Sequence, residues 1–351
     1  MATKVAATKE IMKKFGKTGV LIVNLGTPDD PNWSSVYRYL KQFLLDPRVI
    51  DYPWLPRNLL VRGIIVPFRT SSSSKLYKQL WTENGSPLKY YGERVVDGVR
   101  DILGDDYVVE LAMRYQNPSI ESAIEKLNKA QVTDVIVLPM FPHYASASTG
   151  SVHEEVMRIY SKKGAIPNIK IINSYHDYEP LIEVFSENAR QFDLDSYDHI
   201  LFSYHGLPKR QLVKSNDCGH CQSKPDCCRT ISIKNQFCYS AQCYETTRLI
   251  ADKLHLTEDQ YTVCFQSRLG KGWIEPFSDK VIEELAAKGA KRLLFFSPAF
   301  VADCLETIIE IKTEYQEEFE EVGGEHIDLV PSLNDNPKWI QAVADLVKMN
   351  T

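Results

Sequence analysis

Ile200-Leu201-Phe202-Ser203-Tyr204-His205-Gly206-Leu207-Pro208 reads as a buried strand running into a turn, with one titratable ring at the join. An apolar segment with little alternation suits a strand covered on both faces, as in a parallel sheet flanked by helices. Glycine and proline then end it. The carboxyl edge of such a sheet is where open α/β proteins keep their ligand crevices, so His205 holds a ligand position by its place in the chain. A histidine that merely satisfies a turn fits the same nine residues, and only partners elsewhere can decide between the two.

Outward from this strand, similar β-branched runs are expected at Gly19 to Leu25, Tyr107 to Met113, Asp134 to Met140, Ile169 to Ser174, His199 to Tyr204, Tyr261 to Gln266, Arg292 to Ser297 and Ile327 to Val330. Helix-length segments alternate with them: Pro87 to Leu103, Ser119 to Ala130, Ser151 to Lys162, Pro180 to Gln191, Ala241 to Leu254, Pro276 to Lys288 and Pro337 to Met349. Strand–helix alternation means an α/β fold with parallel, doubly wound sheets. The order divides into two four-stranded halves with a boundary near Ser174 to Glu179, in keeping with a 351-residue chain that exceeds one ordinary core.

The composition, 44% hydrophobic and 25% charged, is that of a globular protein. A formal net charge of −5 offers no general attraction to nucleic acid. Lys4, Lys9, Lys13, Lys14 and Lys17 sit in an opening tail that no apolar segment follows, so a secretory signal is not expected. No run approaches the roughly 20 apolar residues of a spanning helix. Eight cysteines in such a chain point to a reducing compartment, the cytoplasm, rather than to a disulfide framework. Six of them, Cys218, Cys221, Cys227, Cys228, Cys238 and Cys243, crowd into one segment, which is a metal signal.

Two further runs sit beside expected strand ends. Leu25-Gly26-Thr27-Pro28-Asp29 is a glycine-containing turn without the G-x-G-x-x-G spacing of a dinucleotide site, and no P-loop occurs. Ser297-Pro298-Ala299-Phe300-Val301-Ala302-Asp303-Cys304-Leu305-Glu306 opens a helical pattern in which Glu306, Glu310 and Glu314 recur every four residues, a ladder on one face of an α-helix. Such a ladder attracts a cation or is a solvated face opposite Leu305, Ile308 and Ile309. With His205 at the neighbouring strand end, Glu306 completes an imidazole–carboxylate pair able to bind a divalent metal or move protons near neutral pH.

The runs LFSYHGLP, SPAFVADCLETIIEI, MRYQNPSIESAIEKL, LPMFPHYASASTGS and VCFQSRLGKGWIEP, in order from about Gly19 to Leu346, resemble the motifs of the ferrochelatases, enzymes that insert ferrous iron into a porphyrin. The resemblance implies two Rossmann-like, chelatase-like domains: residues 17–175 with an active-site lip at about 51–75, residues 176–332, and a C-terminal helix at 333–351. It makes His205 the active-site histidine and Glu306 its acidic metal-site partner, with Asp303, Glu310 and Glu314 as an acidic track. Thr27, Asp29, Arg114 and Tyr115 would border the porphyrin. Cys304 departs from the pattern, standing where animal members carry a second histidine. Metallation removes two pyrrole protons and strips water from the metal, so His205 is the expected proton acceptor and Glu306 the ligand that hands over iron.

Protoporphyrin IX is the implied substrate, since coproporphyrin-using relatives carry tyrosine where Asp29 follows GTP. Coproporphyrin III, or a haem- or iron-binding sensor without turnover, is the alternative. Trp54, Leu55, Leu59, Leu60, Ile64, Ile65 and Phe68, with Arg57, Arg62 and Arg69, would form a lip that rests peripherally on the inner face of a membrane. A core helix with solvated arginines fits the same pattern. The cysteine segment resembles an internal insertion that binds a [2Fe–2S] cluster in some bacterial relatives, with structural zinc as the alternative. The expected ligands are Cys218 or Cys221 with Cys228, Cys238 and Cys243.

Overall fold

Four strands, β1 (Thr18–Gly26), β2 (Tyr107–Tyr115), β3 (Asp134–Pro139) and β4 (Asn168–Ile171), form one sheet in the order β2-β1-β3-β4. Four more, β5 (His199–His205), β6 (Tyr261–Gln266), β7 (Arg292–Phe296) and β8 (His326–Leu329), repeat that order as β6-β5-β7-β8. Every pairing is parallel. The computed structural model describes residues 16–351 other than 217 and 269, so most of the expected basic tail lies outside the described residues.

The apolar runs become strands because helices cover both faces: Val20 to Val23 of β1 are at most 1% exposed. β4 stops at Ile171, short of the expected Ser174, where its register with β3 ends at Val137. In each sheet the chain leaves the first strand to one side and returns on the other, so ligand crevices open at the carboxyl ends of β1 and β5. Gly26 turns the chain there with φ +118°; a Cβ would stand 2.0 Å from the Tyr115 carbonyl oxygen.

The expected helices form, with Ser119 capping Ile120–Lys129 through the Ser122 amide (3.1 Å). The helix Trp33–Leu44, capped by Asn32, was not among the expected segments. The lip segment is a continuous helical run of Trp54–Leu60, a π-helical turn Val61–Ile65 and Val66–Leu80. Pro67 is tolerated because it falls in the first turn after the π segment, where its missing N–H costs little.

The glutamate ladder differs from expectation in geometry. Leu305–Tyr315 is a π-helix, continued by the α-helix Gln316–Glu321. Its i→i+5 bonding widens the turn, and the three glutamates meet different surroundings. One apolar core spans both halves, joining Val20 and Ile22 to Phe202, Phe296 and Trp339. Another joins Val36, Tyr39, Tyr77 and Tyr115 to Ile309 of the π-helix, seating the lip on the second half.

Candidate active site

His205 ends β5, half-buried, with Nδ1 2.6 Å from the Gly206 carbonyl oxygen. A carbonyl only accepts, so Nδ1 carries a proton, and in the neutral tautomer the lone pair is on Nε2. The turn is tight: the Gly206 amide donates to the Gln266 carbonyl (2.8 Å), and a Cβ on Gly206 would lie 2.7 Å from that oxygen. Phe300 flanks the imidazole edge-on, ring centroids 6.4 Å apart.

Gln266 joins the two halves of the chemistry. It is the register partner of His205 at the end of β6 and is buried. Its Oε1 accepts from Ser203 (2.8 Å), while Nε2 donates to the Glu306 carbonyl (2.8 Å) and to Glu310 Oε2 (2.9 Å). The start of the π-helix is thereby fastened to the strand end that carries His205. Gln266 was missed in the sequence; its signal was a polar residue closing an apolar strand.

The acidic residues separate into different roles. Glu306 is half-buried in the first turn of the π-helix. Burial and then its negative charge push the Cys304 thiol well above its ordinary value, so Cys304 stays a neutral S–H. Burial and then the same charge push the Tyr39 hydroxyl far up. Glu310 accepts from the Ser267 amide (2.8 Å), the Ser267 hydroxyl (2.5 Å) and Tyr315 (3.2 Å) besides Gln266. Four donors tie it down. Asp303 is held by Asn334 Nδ2 (2.8 Å) and Thr307 (3.3 Å), and Glu314 is exposed.

On the first half, Thr27 is buried and donates to Ser86 (2.9 Å), and exposed Asp29 accepts from Asn117 (3.1 Å). Arg114 and Tyr115 turn to the buried Asp46, at 2.7 and 2.9 Å, and Ser151 donates to the same carboxylate (2.5 Å). A buried charge needs such a set. Here it anchors the loop that leads into the lip.

A family profile described as ferrochelatase matches residues 17–351. A ferrochelatase of Coxiella burnetii (strain Dugway 5J108-111) is 47% identical over 339 residues, 96% of this chain and 95% of that one. A ferrochelatase of Legionella pneumophila (strain Lens) is 43% identical over 332 residues, 94% and 98% of the two chains. The chain belongs to the ferrochelatase family. Among solved structures, SirB from Bacillus subtilis with Fe3+ superposes with a TM-score of 0.54 over 95% of this chain and 94% of that one. At 11% identity it shows a shared fold alone. The ferrochelatase reaction is porphyrin metal chelation in haem biosynthesis, with ferrous iron and a porphyrin as substrates.

The expected lip segment of this ferrochelatase-family chain exposes Trp54 (67%), Leu59 (66%) and Phe68 (79%), and Arg57 is buried rather than solvated. Among the described residues no helix is long and apolar enough to cross a membrane.

The cysteine segment gathers a partly different set from the expected one. Cys227 and Cys228 sulfurs are 3.6 Å apart, and Cys228 and Cys238 are 3.8 Å apart. Cys221 is near enough for the Cys228 and Cys227 charges to raise it further after burial. The hydrogen bond from Cys228 lowers Cys238, which sits at the start of helix Tyr239–Leu254. Cys218 turns instead to Asn216 and the Lys234 carbonyl, both at 3.1 Å, and Cys243 is fully buried. Thiolates sharing a tetrahedral metal at 2.3 Å stand about 3.8 Å apart, close to these two pairwise spacings. Among the described residues no group of three or more His, Cys, Asp or Glu is arranged to hold a metal ion; these sulfurs form a chain.

Proposed function

We propose that the protein inserts Fe2+ into protoporphyrin IX to give protohaem, the terminal step of haem biosynthesis. The observation that carries this reading is His205 with Nε2 free to take a proton, fastened through Gln266 to the helix turn bearing Glu306. His205 Nε2 accepts the two pyrrole protons in turn and releases them to solvent. Glu306 presents its carboxylate to incoming ferrous iron and exchanges it for the pyrrole nitrogens, so that iron enters as two protons leave. An imidazole is the side chain suited to that exchange near neutral pH. The lip's exposed aromatic and aliphatic side chains support a peripheral seat on the inner face of the cytoplasmic membrane.

An anaerobic assay comparing porphyrins tests the reading. Wild-type protein is expected to metallate protoporphyrin IX, and His205→Ala to lose turnover while keeping its fold by circular dichroism. Normal turnover by His205→Ala overturns the role of the histidine, and faster metallation of coproporphyrin III overturns the choice of substrate. Cys227, Cys228 and Cys238, with Cys221 or Cys243 as the fourth thiol within reach of the Cys228 charge, would hold a [2Fe–2S] cluster. Such a cluster supplies a one-electron redox centre. An absorption spectrum and metal analysis after anaerobic purification test it; zinc without cluster absorption decides for the structural metal.

A further inference from the structure

The chain that enters the lip is fastened to the second half of the molecule. Asp51 precedes the first lip helix by three residues, and its side chain is only 12% exposed. Its Oδ1 accepts from Arg210 Nε (2.9 Å) and Nη2 (2.7 Å), and its Oδ2 accepts from Lys214 Nζ (2.6 Å). Arg210 also stands over the Tyr52 ring at 5.8 Å, and Gln211 Nε2 donates to the carbonyls of Arg48 (3.3 Å) and Val49 (3.4 Å).

The helix that supplies these donors, Lys209–Lys214, begins four residues after His205. It is rigidly connected to the strand end: the Lys209 amide donates to the Gly272 carbonyl (2.8 Å) and the Ile274 amide to Leu207 (2.9 Å). Arg210 and Lys214 are four apart, on one helix face. Both oxygens of one carboxylate are thus engaged by two cations, a charge-assisted arrangement stronger and more directional than a neutral pair. Burial by itself would raise the Asp51 carboxyl, but the bonds and charges of Arg210 and Lys214 hold it below the ordinary range.

We propose that Asp51 is a positioning residue: clamped by Arg210 and Lys214, it fixes the root of the lip against the strand end that carries His205 and so sets how tightly the porphyrin is held. It touches no reacting atom. The clamp links the first half, through Asp51, to the second, through a helix rooted in the active-site turn, so loosening it frees the lip relative to His205 while leaving the histidine in place. The step affected is porphyrin binding. This inference rests on the reading of the cleft as a porphyrin site.

The test compares wild-type protein with Asp51→Asn and Asp51→Glu. In Asp51→Asn, hydrogen–deuterium exchange of the free protein is expected to rise over residues 47–60 and 209–214 and to stay unchanged in Pro337–Met349. The KM for protoporphyrin IX is expected to rise about five- to tenfold with kcat within about twofold, and Asp51→Glu to recover most of the loss. Unchanged exchange at the lip root, a fall in kcat with constant KM, or exchange rising throughout the molecule would each overturn the proposal. The exchange measurement needs no porphyrin. A wild-type protein inert towards protoporphyrin therefore defeats the proposed function while the clamp is still judged by exchange.

Discussion

At the residue scale, the turn after β5 holds the imidazole by close approach. Gly206→Ala would force its new methyl into the Gln266 carbonyl at 2.7 Å, backbone that cannot swing away. We expect a loss of about 1–3 kcal/mol in chemical denaturation and a larger proportional loss of metallation, because the displaced atoms are next to His205. Gln266→Leu removes the donors to Glu306 and Glu310 and the acceptor of the buried Ser203 hydroxyl. A fall in kcat/KM of about tenfold or more is expected, with about 1–3 kcal/mol of stability lost; wild-type kinetics in that variant would show that the bridge does not orient Glu306. His205 stood out in the sequence because it closes an apolar strand, and Glu306 because of the glutamate spacing and the motif that carries it. Gln266 did not, because its importance lies in partners 40 and 63 positions away.

At the element scale, the strands were legible almost to the residue, since burial on both faces leaves a continuous β-branched signature. The π-helix Leu305–Tyr315 was not. A four-residue glutamate spacing looks the same in an α-helix, and the bonds from Gln266 and Ser267 that hold Glu310 in the wider turn come from distant residues. The lip segment fits an exposed lip or a core helix equally in sequence, and the fold exposes Trp54, Leu59 and Phe68 while burying Val61 and Val66. Replacing Trp54 and Phe68 together by aspartate is expected to reduce co-sedimentation with anionic lipid vesicles severalfold without lowering the unfolding temperature, because neither side chain is packed. Unchanged sedimentation would remove the membrane role. In the cysteine segment, Cys218 is exposed whereas Cys264 and Cys304 are buried. Brief alkylation of the native protein, read by peptide mass spectrometry, should label Cys218 first and leave the buried pair unmodified until denaturation.

At the scale of the whole molecule, histidines buried at the join between the halves couple folding to pH. His143, after β3, is 2% exposed and hydrogen-bonds Thr246 of helix Tyr239–Leu254 (2.9 Å), with His176 6.4 Å away ring to ring. Burial, then the His176 charge, lowers His143, and burial lowers His176. Burial also lowers His153 and His199. In the unfolded chain these rings bind protons near pH 6.5; in the fold they stay neutral to lower pH. Between those values the unfolded state holds more protons, so stability falls as pH drops below about 6.5. A urea midpoint lower at pH 5.5 than at pH 7.5 is expected, with a shallower dependence in His176→Gln. A flat profile would mean that the buried rings ionise in place.

The sequence by itself determined the two four-stranded parallel sheets and, through motifs spread along the chain, the family. The sheets are written locally, in runs of apolar residues and in what ends them. Only the tertiary structure decided which glutamate is tied down, which cysteines lie together and where the lip is anchored. Glu310 is bound by Gln266, Ser267 and Tyr315, Cys227 replaces Cys218 among the neighbouring thiols, and Asp51 reaches Arg210 across 159 positions. The reason is physical: a strand is selected by its own side chains against water, whereas a carboxylate or thiol takes its role from whichever donors and charges folding brings within about 3 Å.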